Sequence, residues 1–292
     1  MNYPSETIDL DGRRFSLRSN GVGRAAADVP LIVALHGGGY SSAYFDLPGL
    51  SLLERAAALG IPALTLDRPG YGDSEARSPE EHGHAAQAAI LEAAIGALAR
   101  DRGEGCPGIV LVGHSIGGAI AIGIAARDPD WLLGVAISGV GLRNMPGDLE
   151  AWQSLPDIPF IAFPAEMKDA KMFGAPGRYD PDAPRRSHAA DAPALRQELL
   201  DIVAFWPREA QALLGRVRVP VHYRQAADDA LWLVSQDEVD DFGAACSSAP
   251  WRDAALVRDA GHCIDFHRLG AAFQLEQLAF ALKCGVRFPP GG

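Results

Sequence analysis

The sequence lacks an excess of basic residues. Lys and Arg together number 26, against 37 Asp and Glu, so the 292-residue chain has a formal net charge of -11. No basic stripe interrupts this acidic composition. A field of that sign repels nucleic-acid phosphates and anionic membrane surfaces. We therefore expect neither nucleic acid nor a membrane as partner. Separately from the charge, the expected partner is a small molecule, and the expected oligomeric state is a monomer or homodimer.

Cysteine is also scarce. The four cysteines contain no C-x-x-C pair and lie too far apart for a zinc knuckle: Cys106, Cys246, Cys263 and Cys284. The sequence therefore predicts no metal site of that kind. The first residues, MNYPSETIDLDGRR, lack the basic and apolar regions of a signal peptide. We expect the chain in a reducing cytoplasm.

Short apolar runs alternate with longer helical patterns along most of the chain. The runs are bounded by Gly, Pro or Asp and lie at 31–35, 61–66, 109–112, 132–137, 219–223 and 254–257. Helical patterns lie at 49–59, 79–100, 116–127, 235–246 and 269–283. Strands that are apolar throughout are typical of sheets covered on both faces. Together with a hairpin at 7–18, this order predicts an α/β protein with a doubly wound, mostly parallel sheet and right-handed crossovers.

One interval of about eighty residues, between the runs at 132–137 and 219–223, contains no recognisable strand but many prolines and aromatic residues. An unstructured loop of that length would be unusual in a compact domain. We therefore predict a helical cap at 142–215, inserted into a core domain formed by 1–141 and 216–292. Apolar pockets are commonly lined by aromatic side chains. Four aromatic residues are predicted to bind substrate: Trp152, Phe163, Phe205 and Trp206.

A serine follows the run at 109–112. In IVLVGHSIGG, Gly113 and Gly117 flank Ser115 in a G-x-S-x-G pattern between a predicted strand and a predicted helix. A sharp strand-to-helix turn leaves no room for Cβ atoms two residues before and after the serine, and it raises the hydroxyl clear of the sheet. The pentapeptide could arise by chance in a chain with 32 glycines. Its strand and helix context indicates a nucleophile.

Three consecutive glycines follow the run at 31–35, in LIVALHGGG. Backbone without side chains can turn its amides toward a substrate carbonyl, so we predict that the amides of Gly38 and Ile116 form an oxyanion hole. The alternative is a plain glycine-rich turn.

Four motifs together resemble the α/β-hydrolase superfamily in order and approximate spacing: HGGG at 36–39, DRPGYGDS at 67–74, GHSIGG at 113–118 and AGHCIDFH at 260–267. The resemblance covers nearly the whole chain except the cap. It implies the α/β-hydrolase fold with Ser115 as nucleophile, His262 as base, and Gly38 and Ile116 as oxyanion amides.

The position of His262 also indicates a base without the resemblance. It follows the last apolar run and a glycine, and the ends of parallel strands meet at the edge of the sheet where an active site is expected. Its rival is His267, five residues later. Two neighbouring residues could supply the acid, Asp228 and Asp229. Related hydrolases carry G-x-x-D at this turn, whereas this chain has Ala226 in place of the glycine. Aligning Ala226 with that glycine selects Asp229, and Asp228 remains the alternative.

The resemblance implies a serine hydrolase in which His262 takes the Ser115 proton, Asp229 holds the imidazole, and water releases an acyl enzyme. A serine at this turn argues against the superfamily branches whose nucleophile is a carboxylate. We expect a small to medium ester or thioester with an apolar portion, and neither a metal nor an organic cofactor. Two alternatives remain: a carbon–carbon bond hydrolase or lyase with the same triad, and a non-catalytic ligand-binding homologue.

Overall fold

The structure, a computed structural model, describes residues 3–23, 28–102 and 106–287. The strands are β1 (Glu6–Leu10), β2 (Arg13–Ser19), β3 (Leu31–Leu35), β4 (Ala63–Leu66), β5 (Ile109–His114), β6 (Leu132–Ser138), β7 (Phe160–Ile161), β8 (Ala194–Leu195), β9 (Val221–Ala226) and β10 (Arg252–Val257). The α-helices are α1 (Leu52–Ala58), α2 (His84–Arg102), α3 (Ile116–Ala125), α4 (Asp148–Gln153), α5 (Ala165–Phe173), α6 (Ala183–Ser187), α7 (Arg196–Ala204), α8 (Trp206–Leu214), α9 (Gln236–Ala245) and α10 (Gly270–Arg287).

Eight strands form one sheet in the order β1-β2-β4-β3-β5-β6-β9-β10. β1 and β2 form the hairpin that the sequence predicts, and β2 pairs antiparallel with β4. The pairings from β4 to β10 are all parallel. This arrangement confirms the predicted mostly parallel α/β sheet.

The two faces of the sheet are covered by different helices. β3, β5 and β6 are buried at every residue. On one face Val33 belongs to a core cluster with Ile120 of α3, and on the other Ile32 belongs to a cluster with Leu52 of α1 and Phe280 of α10. Because alternate residues of a strand point to opposite faces, the continuous apolar runs are explained by these two cores. Within the part of the chain that is described, no helix combines the length and apolar character needed to cross a membrane.

The predicted cap segment, residues 142–215, contains α4 to α8. It also contains β7 and β8, which pair antiparallel as a separate two-stranded sheet. The sequence does not predict this sheet, because a strand of two residues is too short to show an alternating pattern. The other regular elements of the segment are helices.

Candidate active site

Ser115 lies at the turn between β5 and α3. Its backbone has φ 55° and ψ −124°, a conformation that costs a non-glycine residue about 1–3 kcal/mol. Its N–H donates to the carbonyl of Ser138 in β6 over 2.8 Å. A Cβ atom on Gly113 would lie 2.6 Å from the Gly117 carbonyl oxygen, and one on Gly117 would lie 2.1 Å from that of Leu35. Both glycines of the G-x-S-x-G pattern are therefore required by contact with neighbouring backbone.

The glycine loop after β3 packs directly against this turn. A Cβ on Gly37 would lie 2.9 Å from the Cβ of Ser115, and one on Gly38 would lie 2.9 Å from the Cδ1 of Ile116. Gly38, Ser115 and Ile116 line one cavity. The structure thus brings the two predicted oxyanion amides to the same place as the serine, and their binding of an oxyanion stays a prediction.

His262 lies on the loop after β10 and lines the same cavity. Its Nδ1 is 2.7 Å from Oδ2 of Asp229, which is itself buried. The other contacts of the Asp229 carboxylate come from the amide of Gln225 and the backbone N–H of Leu231, both over 2.8 Å. A carboxylate held in this way keeps the ring proton on Nδ1, which leaves Nε2 as the basic nitrogen.

Asp228 is oriented differently from Asp229. Its carboxylate forms an ion pair with Arg178 of the cap segment, and its backbone N–H donates to the carbonyl of Ala260 over 3.1 Å. Of the two candidate acids, the structure pairs Asp229 with His262.

Other reactive side chains close to His262 are buried. The ring of His114 stacks on Tyr44 with 4.6 Å between centroids, and burial, with the neighbouring His262 and His36, holds the pKa of His114 well below its usual value. Burial raises the pKa of the Cys263 thiol to about 12, so this thiol stays protonated near neutral pH. Among the described residues, no cluster of three or more His, Cys, Asp or Glu side chains could hold a metal ion.

The cavity above Ser115 has a volume of about 250 Å³. Apolar side chains form most of its wall: Tyr40, Ile116, Trp152, Phe163, Met167, Met172, Leu199, Ile202, Val203, Leu231 and Trp232. Trp152 and Phe163 pack edge to face, 6.0 Å between centroids. Lys168 and Lys171 also line it.

The structure does not bring the other two predicted aromatic residues to this cavity. Phe205 is 47% exposed, and Trp206 is fully buried, with its indole N–H donating to the carbonyl of Gly141 over 2.8 Å. Sequence reasoning missed Leu199, Ile202 and Val203 of α7. Their i, i+3, i+4 spacing indicates a shared helix face, but composition does not reveal which side of the cap covers the site.

A buried ion pair connects the cap to the glycine loop, and the sequence analysis did not anticipate it. Arg68, of the DRPGYGDS motif, donates to Glu198 of α7 over 2.8 Å, to the carbonyl of His36 over 2.9 Å and to that of Gly37 over 3.2 Å. The hydroxyl of Tyr71 also donates to Glu198. Burial and the adjacent Glu198 carboxylate raise the pKa of Tyr71. Loss of one partner of a buried pair costs about 3–5 kcal/mol.

Comparison with known proteins agrees with the fold. A family model described as alpha/beta hydrolase family matches residues 32–272. Protein phosphatase methylesterase 1 of Pongo abelii is 29% identical over 118 residues, which are 40% of this chain and 29% of that protein. The matched segment is thus under a third of that relative's length.

Two solved structures share the fold. A thermophilic esterase from Thermogutta terrifontis superposes with a TM-score of 0.68 at 17% identity, covering 97% of this chain and 99% of the esterase. The enol-lactonase from Burkholderia xenovorans LB400 superposes with a TM-score of 0.70 at 16% identity, covering 95% of this chain and 100% of the lactonase. Likeness at such identities establishes the fold and leaves the substrate open.

Proposed function

The chain belongs to the alpha/beta hydrolase family, and we propose that it is a serine hydrolase that cleaves a carboxylic ester or thioester through an acyl enzyme. One observation carries the proposal. His262 lines the cavity that also exposes Ser115, and its Nδ1 is 2.7 Å from the buried carboxylate of Asp229. This is the arrangement in which an imidazole can act as a base toward a serine hydroxyl.

In the proposed mechanism, Nε2 of His262 removes the Ser115 proton while Oγ attacks the substrate carbonyl carbon. The amides of Gly38 and Ile116 donate to the oxyanion, and Asp229 stabilises the imidazolium. The imidazolium then gives its proton to the leaving alcohol or thiol, which leaves an ester between the acyl group and Ser115. His262 next deprotonates water, the resulting hydroxide attacks the acyl enzyme, and the acid product departs as Ser115 regains its proton.

The dimensions and chemistry of the cavity support a small to medium substrate with an apolar portion. Its volume of about 250 Å³ and its mostly apolar wall suit a short acyl chain or a compact alcohol group. The relatives are named as esterase, methylesterase and lactonase. These names favour a carboxylic ester over the carbon–carbon bond that the sequence left as an alternative.

The test is turnover of p-nitrophenyl esters with short acyl chains, together with labelling by a fluorophosphonate probe. Ser115→Ala is expected to lower kcat by about 10⁴-fold or more and to abolish labelling, as removal of a triad nucleophile does in other hydrolases. Ser248→Ala is the matched control, because Ser248 is an exposed serine whose hydroxyl donates to the carbonyl of Gly215. The proposal fails if the unaltered protein neither turns over these esters nor reacts with the probe. Labelling without turnover of any ester would favour the carbon–carbon bond alternative.

A further inference from the structure

His267 is the histidine that rivals His262 in the sequence, and the structure gives it a different position. It is 3% exposed, and it is not among the residues that line the cavity. Both of its ring nitrogens face backbone atoms of the loop that carries His262. Nδ1 is 2.8 Å from the carbonyl oxygen of Cys263, and Nε2 is 2.9 Å from the backbone nitrogen of Gly261. The ring therefore contacts the backbone on each side of His262.

The identity of these atoms determines where the ring proton lies. A carbonyl oxygen only accepts hydrogen bonds, so Nδ1 must carry a proton and donate to Cys263. A backbone N–H only donates, so Nε2 accepts from Gly261 when the ring is neutral. The neutral ring with its proton on Nδ1 thus satisfies both contacts.

We propose that His267 is a positioning residue that orients the base His262 by holding the backbone of Gly261 and Cys263. The inference deepens the proposed hydrolase function and rests on it. His267 acts through His262 and does not contact the substrate.

The ring of His267 is itself held by the cap segment. It stacks on Phe173 at the end of α5, 5.8 Å between centroids and 29° between planes, and meets Tyr179 edge to face at 5.6 Å. The carbonyl oxygen of Phe173 is 2.8 Å from Nε2. Nε2 thus lies beside the backbone of the cap as well as beside the backbone nitrogen of Gly261, so the ring bridges the cap and the loop of His262.

Backbone contacts place the same part of the cap against the loop of His262. The N–H of Cys263 donates to the carbonyl of Met172, and the N–H of Arg268 to that of Arg178, both over 3.0 Å. A Cβ on Gly261 would lie 2.5 Å from the carbonyl carbon of Phe173. The loop is thus held on its cap side, whereas Asp229 holds the ring of His262 from the sheet side. Both sides are needed, because a displacement of about 1 Å in a catalytic group can lower its rate about 100-fold.

The experiment compares three substitutions of His267. His267→Phe keeps an aromatic ring to stack on Phe173 and removes both hydrogen bonds. His267→Gln retains an acceptor near the Nε2 position, and His267→Asn retains a donor near the Nδ1 position. The matched control is His222→Phe in β9, because His222 is also buried and neither of its ring nitrogens has a hydrogen-bond partner among the described residues.

We expect His267→Phe to lower kcat for a p-nitrophenyl ester by about 10- to 100-fold with KM nearly unchanged, because the ring does not line the cavity. Gln and Asn should recover part of that loss, and labelling by the fluorophosphonate should slow in the same order. His222→Phe should keep the kcat of the unaltered protein. The inference is overturned if all three substitutions at His267 leave kcat within about twofold of this control, or if only KM changes.

Hydrogen–deuterium exchange separates this inference from the proposed function. In a Ser115→Ala background, the amides of residues 261–263 should exchange faster after His267→Phe than after His222→Phe. Equal exchange of these amides in the two variants would overturn the positioning role, even if the unaltered protein proves to be an active hydrolase. If the unaltered protein has no hydrolase activity, the proposed function fails, and the exchange rates still show whether His267 holds the loop.

Discussion

The turn that carries Ser115 and the loop that carries His262 border the same cavity, but they are held in different ways. The nucleophile turn, residues 113–118, is fixed by β5, by α3 and by the adjacent backbone of the sheet. The base loop, residues 260–267, is fixed by a segment of the cap that lies 94 residues earlier in the chain, as the contact between His267 and Phe173 illustrates. One half of the proposed site is therefore held by the sheet and the loop after β3, and the other half is held by the cap.

This difference has a consequence for how the molecule combines binding with chemistry. The cap supplies most of the apolar wall of the cavity, and through α5 and residues 173–179 it also supports the base loop. A change in the cap can therefore alter the orientation of His262 as well as the fit of the substrate. A change in the nucleophile turn acts first on the fold of the sheet domain.

After replacement of Ser115 itself, the largest effect is expected at the acid, which holds the base from the sheet side. Asp229→Asn should lower kcat by about 10³- to 10⁴-fold, because an amide does not stabilise the imidazolium and can favour the wrong ring tautomer. Asp228→Asn, its neighbour, should change kcat by no more than about tenfold, since it removes only the ion pair with Arg178 of the cap. Steady-state kinetics of the two variants checks this, and equal, mild losses from both would contradict the assignment of Asp229.

Two glycines test whether the two halves really differ. Gly117→Ala brings a Cβ to 2.1 Å from the carbonyl oxygen of Leu35 in β3 and should lower the free energy of unfolding by about 3 kcal/mol or more. Gly261→Ala meets the backbone of Phe173 in the cap instead, so it should lower kcat strongly but stability less. Gly23→Ala is the control, because none of the described residues lies within 4 Å of its added Cβ. Urea unfolding gives the free energy of unfolding of each variant, and steady-state kinetics gives its kcat. A larger loss of stability from Gly261→Ala than from Gly117→Ala would contradict the proposed difference between the two halves.

A smaller effect is expected from the aromatic residues of the cap. Trp152→Ala should raise KM for esters with an apolar acyl chain by about tenfold, because it removes part of the cavity wall and the edge-to-face contact with Phe163. Phe205→Ala, an exposed aromatic of the same segment, should leave KM unchanged. Measurement over a series of acyl chain lengths tests this, and a rise in KM from Phe205→Ala would place that side chain nearer the substrate than the structure does.

The smallest effect concerns a second attachment of the cap. His84 at the start of α2 contacts the carboxylates of Asp201 in α7 and Glu209 in α8. Burial alone lowers the pKa of His84, but the two carboxylates outweigh it and the pKa is raised above 6.5. The charged form therefore stabilises the folded state. This stabilisation is present in full below about pH 6.5 and is lost as the pH rises through the folded-state pKa.

The corresponding measurement is urea unfolding at about pH 6 and about pH 9. Relative to His84→Gln, the unaltered protein should be more stable at the lower pH, and this advantage should shrink at the higher pH. An advantage that does not depend on pH would contradict an ionic role for His84 in holding the cap.

The strand predictions show which parts of the fold are visible in the sequence. β3 begins and ends where the apolar run predicts it, because both faces of this central strand are buried. β10 begins at Arg252, two residues before its predicted start, because it is the last strand of the sheet and its side chains are only partly buried. β4 and β9 lie inside the sheet, yet each begins two residues after its predicted start, directly after a proline. Apolar patterning therefore locates a strand better than it locates the ends of that strand.

By itself the sequence determined the α/β architecture and the turn at Ser115, because each leaves a pattern of residue types that is visible along the chain. The spacing of apolar residues indicates which strands and helices are buried. Gly113 and Gly117 indicate a turn in which a Cβ atom has no room. Only the tertiary structure decided which aspartate reaches His262 and which aromatic residues face the cavity. It also gave His267, the rival base of the sequence, a place beneath the cap. These outcomes depend on how segments about thirty to more than ninety residues apart pack together, and neither composition nor local spacing encodes that packing.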